Sequence, residues 1–171
     1  MKSKRDLSII EIGEGRSLVI ACDVSGGIGP KSRDSLQVDG ELVGYVTTKV
    51  ALMEVLAVGA KPISVIDTLS VEYDPAGKEI IKGIEKTINE IGLDSSILNG
   101  STEDNIETYE TGVGITVVGI IDNDNLKINS SYKGDVLAAI GIPLVGEEVL
   151  KKNDMMAELV DLENLRKKSY V

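Results

Sequence analysis

The 171-residue chain has no histidine, no phenylalanine, no tryptophan and a single cysteine. Without histidine there is neither a Ser-His-Asp triad nor an imidazole-zinc site. With five tyrosines as its only aromatic rings and a net charge of −10, it lacks both the stacking platforms and the basic stripe that nucleic acids require. No nucleic-acid partner is expected. No apolar run reaches the ~18 residues of a membrane span, and the basic start, residues 1–5, is followed by no apolar stretch of the kind a signal peptide carries. Cys22 has no partner for an internal disulfide, which fits a reducing compartment, and inside a strand it reads as a buried small hydrophobe. The expectation is a cytoplasmic protein with no membrane partner. Its chemistry is confined to carboxylates, hydroxyls, lysines, backbone amides or a metal, and an acidic chain that holds an anion must bring cations with it.

What is present is an alternation of short β-type runs and longer helical patterns, the signature of an α/β fold. Residues 17–22 form an apolar run that predicts a buried strand. The following stretch, residues 23–33, holds glycines at 26, 27 and 29 and predicts a long loop. A helix is predicted over 41–58, with Asp39 as N-cap and Gly59 at its end. Residues 63–71 predict a second strand. Asp74-Pro75 then opens a second helix, with Asp as cap and Pro at the first helical position. Its apolar stripe is Ile80, Ile84, Ile88 and Ile91, and Gly92 stops it. A third strand ending at Leu98, a fourth over 111–121 and a last over 136–140 complete the pattern. The organisation expected is one domain over 1–145 and a helical tail, 146–171, leading to a further domain.

Three places carry candidate chemistry. Asp23 sits at the C-terminal end of a buried strand and adjoins the glycine loop, where α/β proteins commonly bind ligands; for a lone Asp, a loop-capping Asx turn is the better reading. The spacing Gly26-Gly27-x-Gly29 is neither a dinucleotide fingerprint nor a P-loop, so phosphate cradle and surface loop both stay open. Glu54 is a lone carboxylate in the apolar segment 52–58, and must be paired, metal-bound or on the wet edge of its helix. Residues 99–105 place hydroxyls and carboxylates after a strand, where a plain turn serves as well as a site.

Order and spacing bring these places together. The chain resembles the N-terminal domain of the aminoimidazole ribonucleotide (AIR) synthetase superfamily, whose relatives include thiamine-monophosphate kinase, selenophosphate synthetase and a hydrogenase maturation protein. The resemblance covers roughly residues 5–150. Asp6 matches the family's early Asp opening a strand, and Asp23, 17 residues on, matches the strand-ending Asp. The segment Met53-Glu54-Val55-Leu56-Ala57-Val58-Gly59-Ala60 matches the helix that carries a metal-binding Asp, and Asn99-Gly100-Ser101-Thr102 matches a Gly-Gly-Asp-Thr turn. Gly134-Asp135 and Gly141-Ile142-Pro143 fit the end-of-domain pattern.

The resemblance implies a mixed sheet of four to five strands with helices on one face, and a homodimer whose sheets join into a shared barrel. It implies ATP and Mg2+ as cofactors and a small-molecule substrate. Asp6, Asp23 and Glu54 would hold metal; Glu54 replaces the family's Asp and lengthens its reach. Ser101 replaces the Asp of the turn, a role Glu103 or Asp104 would take over. Gly26, Gly27, Gly29 and Lys31, together with Gly100, Ser101 and Thr102, would meet the nucleotide. The implied activity is that of an ATP-dependent phosphotransferase, with wording near residues 50–60 and 67–72 similar to the α-ribazole kinases of cobamide salvage. A non-catalytic nucleotide-binding domain and a hydrogenase-maturation-like factor are the alternatives.

Overall fold

Alternation of apolar and polar residues along the strands commits one sheet face to burial. The computed structural model describes residues 2–168. Strands β1 (Lys2–Lys4), β2 (Leu7–Gly13), β3 (Arg16–Gly26), β6 (Lys61–Leu69), β7 (Leu98–Thr102) and β8 (Gly112–Asp122) form one mixed sheet in the order β1-β2-β3-β8-β6-β7. All neighbours are antiparallel except β6 and β7. The five principal strands are those expected of the fold class; the short β1 adds an edge. A parallel ribbon, β4 (Ile28–Gly29) with β5 (Leu36–Gln37), sits within the glycine loop.

On the inward face Val19, Ala21, Val65, Val113, Ile115 and Val117 are buried. Helix α1 (Gly40–Ala57) covers them, packing on β3 and β8 through Leu52, Val55 and Leu56. Helix α2 (Lys78–Glu90) lays its stripe of Ile80, Ile84 and Ile88 against α1. The two backbones touch where both helices carry glycine. A Cβ on Gly44 would lie 2.0 Å from the Ile80 carbonyl oxygen, and one on Gly83 would lie 2.0 Å from that of Glu41. Any larger residue at either position would prise the helices apart. The stripe does the holding: truncating one such isoleucine to alanine costs about 2–5 kcal/mol.

The opposite face carries no helix among the described residues. Leu18, Ile20, Val118 and Ile120 are only half-buried there, and Val24 and Ile66 are exposed. Cys22 lies on this side, exposed rather than buried, because its strand position points away from α1. Asp39 occupies the N-cap of α1 as expected, and Gly59 (φ +88°) and Gly92 (φ +73°) follow the two long helices where left-handed backbone is needed.

Four expectations are corrected. Strand β3 runs on through Asp23 to Gly26, because β8 offers partners that far, pairing Asp23 with Ile115 and Gly26 with Gly112. Asp74-Pro75 lies in a wide turn, Tyr73–Gly77, and the regular helix starts only at Lys78. Residues 99–102 form strand β7 rather than a turn beyond it, held by parallel pairing to β6. Residues 136–140 form no strand: neither sheet edge receives them, and Val136 and Leu137 stay exposed.

The tail is helical in two pieces, α3 (Glu147–Lys151) and α4 (Leu159–Lys167). Leu159 is fully buried in the main core. Beside it the buried Lys49 ammonium of α1 donates to the Ala157 carbonyl (3.1 Å) and to Glu158 (3.0 Å). No helix among the described residues is long and apolar enough to cross a membrane.

Candidate functional site

Three carboxylates converge from separate elements. Asp6 occupies the turn between β1 and β2, just ahead of Leu7, which pairs with Ala21 of β3. Two residues along β3, Asp23 shares the inward side with Ala21. Glu54 comes down from α1. Burial raises the Glu54 pKa, and the charges of Asp6 and Asp23 raise it further, with Arg5 opposing. Burial likewise raises Asp23, offset by the Val24 backbone N–H. One oxygen of Glu54, Oε2, is buried without a hydrogen-bond partner.

A buried carboxylate oxygen with no donor, facing two further acids, is set up for a cation. Among the described residues no three acids stand close enough to form a finished coordination shell. Asp23 also lines a mostly apolar cavity of about 210 Å³ between β3, the glycine loop and α1.

The glycine loop is tied down. The Gly27 N–H donates to the Thr111 carbonyl (2.8 Å), and a Cβ on Gly29 would lie 2.5 Å from Thr111 Oγ1. Asp34, buried, accepts from the Lys31 N–H (2.8 Å), the Thr111 N–H (2.7 Å) and Thr111 Oγ1 (2.6 Å). Sequence reading missed Asp34; its spacing of three from Lys31 is the local signal of a side-chain-closed turn. Gly26 itself is in β3, ahead of the loop. Lys31 pairs with Glu72 at 2.6 Å. Burial pushes the Glu72 carboxyl up, but the Lys31 hydrogen bond and charge, together with the backbone N–H groups of Glu72 and Ala76, leave its pKa below the ordinary value.

Gly100, Ser101 and Thr102 sit on edge strand β7, separated from β3 by β8 and β6. Three strand spacings put them about 14 Å from Asp23. They are therefore not gathered around Glu54. Ser101, Thr102 and Glu103 line a second cavity, about 370 Å³, with Val24 and Gly114. Both proposed substitutes for the missing Asp are engaged locally. Asp104 accepts from the Tyr73 N–H (2.9 Å) and Thr102 Oγ1 (2.8 Å), bonds that lower its pKa. Glu103 accepts from the Asn105 N–H (2.9 Å) and Nδ2 (3.1 Å).

Sequence reading also missed Asp67, which is 3% exposed on the inward side of β6. Burial raises its pKa, with the backbone N–H groups of Ser101 and of Asp67 itself opposing. Strand alternation held the signal, since Val65 and Leu69 flank it on the buried face.

Residues 4–121 match the sequence model of the family described as AIR synthase related protein, N-terminal domain. No curated protein matches the chain. Among solved structures it is similar to thiamine monophosphate kinase from Aquifex aeolicus, at 15% identity and a TM-score of 0.52, covering 70% of this chain and 38% of that one. AaThiL complexed with AMPPCP and TMP gives 16% and 0.53, covering 68% and 36%. T. maritima PurL complexed with ADP gives 17% and 0.54, covering 74% and 20%. At such identities these likenesses show the shared fold, and the chain spans well under half of each of those proteins.

Proposed function

The chain belongs to the AIR synthase related N-terminal-domain family, and on that premise we propose that it is a magnesium-dependent ATP-binding domain of an ATP-dependent phosphotransferase. The observation that carries this reading is the unpaired, buried Oε2 of Glu54 held against the charges of Asp6 and Asp23. Two of the structurally similar proteins are described as complexes with AMPPCP or ADP, which supports a nucleotide as the ligand.

Asp6, Asp23 and Glu54 would hold the ion, which when bound neutralises the triphosphate so that a nucleophile can approach. The glycine loop, fixed by Asp34 and Thr111, would offer backbone amides to the phosphates. Lys31 would have to leave Glu72, or share its charge with it, to take part. The acceptor is a small molecule. The α-ribazole of cobamide salvage is the specific candidate that sequence wording favours.

The uncovered sheet face supports a homodimer, because half-buried Leu18, Ile20, Val118 and Ile120 with exposed Ile66 form an apolar surface that a second sheet would cover. Light scattering should give twice the chain mass of 18.2 kDa; a monomer at all concentrations overturns the shared barrel.

A non-catalytic nucleotide-binding role is the second reading, favoured by Ser101 in place of a metal-ligating Asp and by the engagement of Asp104 with Tyr73 and Thr102 and of Glu103 with Asn105. Calorimetric titration of ATP with magnesium and with EDTA tests the binding site common to both. Equal affinity in the two conditions removes the metal-bridged site. ATP turnover across a panel of small alcohols and phosphate monoesters then separates enzyme from binding domain.

A further inference from the structure

The cavity of about 210 Å³ at the end of β3 is walled by aliphatic side chains on three sides. Leu36 and Val38 reach it from the glycine-loop ribbon, Leu42 and Val46 from α1, and Val149 and Leu150 from α3. None of these six is fully buried, so they turn apolar surface toward the cavity. The polar groups of the same elements are committed elsewhere. The Leu36 N–H donates to the Gly27 carbonyl (3.3 Å) and the Val38 N–H to the Gly29 carbonyl (3.1 Å). The Thr47 hydroxyl donates to the Val43 carbonyl of its own helix (2.8 Å). Polarity enters at one end, where Asp23 and Ser25 share the inward side of β3. Gly146, Val149 and Leu150 lie beyond residues 4–121, so chain outside the family pattern supplies part of the wall.

An apolar cavity of about 150 Å³ is enough to take up benzene. One of about 210 Å³ admits a bicyclic or substituted ring. Its aliphatic walls offer nothing to the polar edge atoms of a purine, which would be desolvated there without partners. We propose that this cavity holds an apolar ring of the phosphoryl acceptor, with the acceptor's hydroxyl at the Asp23 end, beside the candidate metal site. The substrate class is then an alcohol carrying a compact apolar ring, as opposed to a bare polyol or sugar. Calling the ligand an acceptor rests on reading the chain as a phosphotransferase domain. The preference for an apolar ring over a purine rests on the walls alone and needs neither magnesium nor Glu54.

Indole, titrated in EDTA, tests the cavity without phosphate or metal. Its own fluorescence reports the binding, because the chain has no tryptophan to mask it. The wild type should bind indole saturably, with emission moved to shorter wavelength, and adenosine should not displace it. Val46→Phe, which fills the cavity, should weaken indole about tenfold or more, the worth of one buried apolar group. Should Val46→Phe fail to fold, Leu150→Asp, at an exposed position, must weaken indole or the proposal falls. Indole-3-ethanol should bind about tenfold more tightly than 3-methylindole, the worth of a hydrogen bond to a charged group, and Asp23→Ala should erase the difference. Equal affinities in the wild type overturn the placing of the hydroxyl at Asp23. No binding of indole overturns the proposal, as does displacement by adenosine or by saturating magnesium-ATP, either of which would make the cavity the nucleotide's own. Glu54→Gln should leave indole binding intact, so ATP binding lost with indole retained marks failure of the metal site and not of this cavity.

Discussion

Two acidic neighbourhoods in this chain share a residue type and differ in almost everything else. At Asp6, Asp23 and Glu54, carboxylates gather from a turn, a strand and a helix; burial raises the pKa of Asp23, burial and the charges of Asp6 and Asp23 raise that of Glu54, and Glu54 keeps an unpaired oxygen. At Glu103 and Asp104, Asn105, Thr102 and the Tyr73 backbone supply donors to the two carboxylates, and the bonds from Tyr73 and Thr102 lower Asp104. The second neighbourhood is finished and the first is not. A carboxylate that already has its donors does structural work; one held against its own kind, with an oxygen left without a donor, carries its charge only at an energetic cost.

The largest effect should separate the two in binding. Glu54→Gln is expected to weaken magnesium-dependent ATP binding by on the order of 100-fold or more, the scale on which losing one partner of a buried charge interaction acts. Asp104→Asn should change it less than about threefold, far below one lost hydrogen bond to a charged group. Calorimetry on both variants decides; a full-strength Glu54→Gln removes that residue from the site and leaves only Asp6 and Asp23.

Stability should then move in opposite directions. Glu54→Gln removes a poorly solvated, repelled charge and is expected to melt at or above the wild type without ligand. Asp104→Ala, which strips donors of their acceptor, should melt measurably lower. A Glu54→Gln variant that melts far below wild type would mark Glu54 as a structural ion-pair partner instead.

Acidification should sharpen the contrast, because the two pKa shifts have opposite signs. The folded-state pKa of Glu54 is raised, so the protonated form is favoured on folding, and the penalty of its charge is present near neutrality. As pH falls through that raised value, wild-type Glu54 becomes neutral and its melting difference from Glu54→Gln closes. Asp104 is lowered, so its contribution persists below the ordinary carboxylate range and disappears only as pH falls through its depressed value. Melts of the two variants against wild type should therefore converge at different pH, the Glu54 pair first. Simultaneous convergence would mean the two neighbourhoods are electrostatically alike. The smallest effect belongs to Glu103→Gln, expected within about 0.5 kcal/mol of wild type by denaturant unfolding, the range of ordinary surface substitutions.

The sheet order was hidden from the sequence, but most of its parts were not. Helix α1 announced itself through Asp39, a long apolar segment and Gly59, and β8 through β-branched residues running from a glycine-rich start. Strand β3 was read too short because Asp23, Ser25 and Gly26 resemble a loop until β8 is seen to pair with them. Residues 136–140 were read as a strand because apolar runs signal burial, yet a strand also needs an edge to join, and edges are a tertiary property. The family resemblance singled out Asp6, Asp23 and Glu54, and the structure brings their charges within reach of one another. Asp67 escaped because a carboxylate within a strand run draws no attention until the opposing Gly100 is known to make way for it.

The family pattern occupies residues 4–121, but side chains beyond it share its core. Leu159, 0% exposed, fills part of the space over α1, and Lys49 keeps its ammonium buried only because residues 157 and 158 answer it. A recombinant fragment ending at residue 145 would inherit a hole where a leucine packed, worth about 2–5 kcal/mol, and a buried cation with its acceptors gone. Proteases and amide exchange would register this in α1 itself, at a distance from the cut. A shortest stable version of the domain should therefore be sought by trimming after α4, with the boundary set by which side chains share a core rather than by where the resemblance to relatives stops.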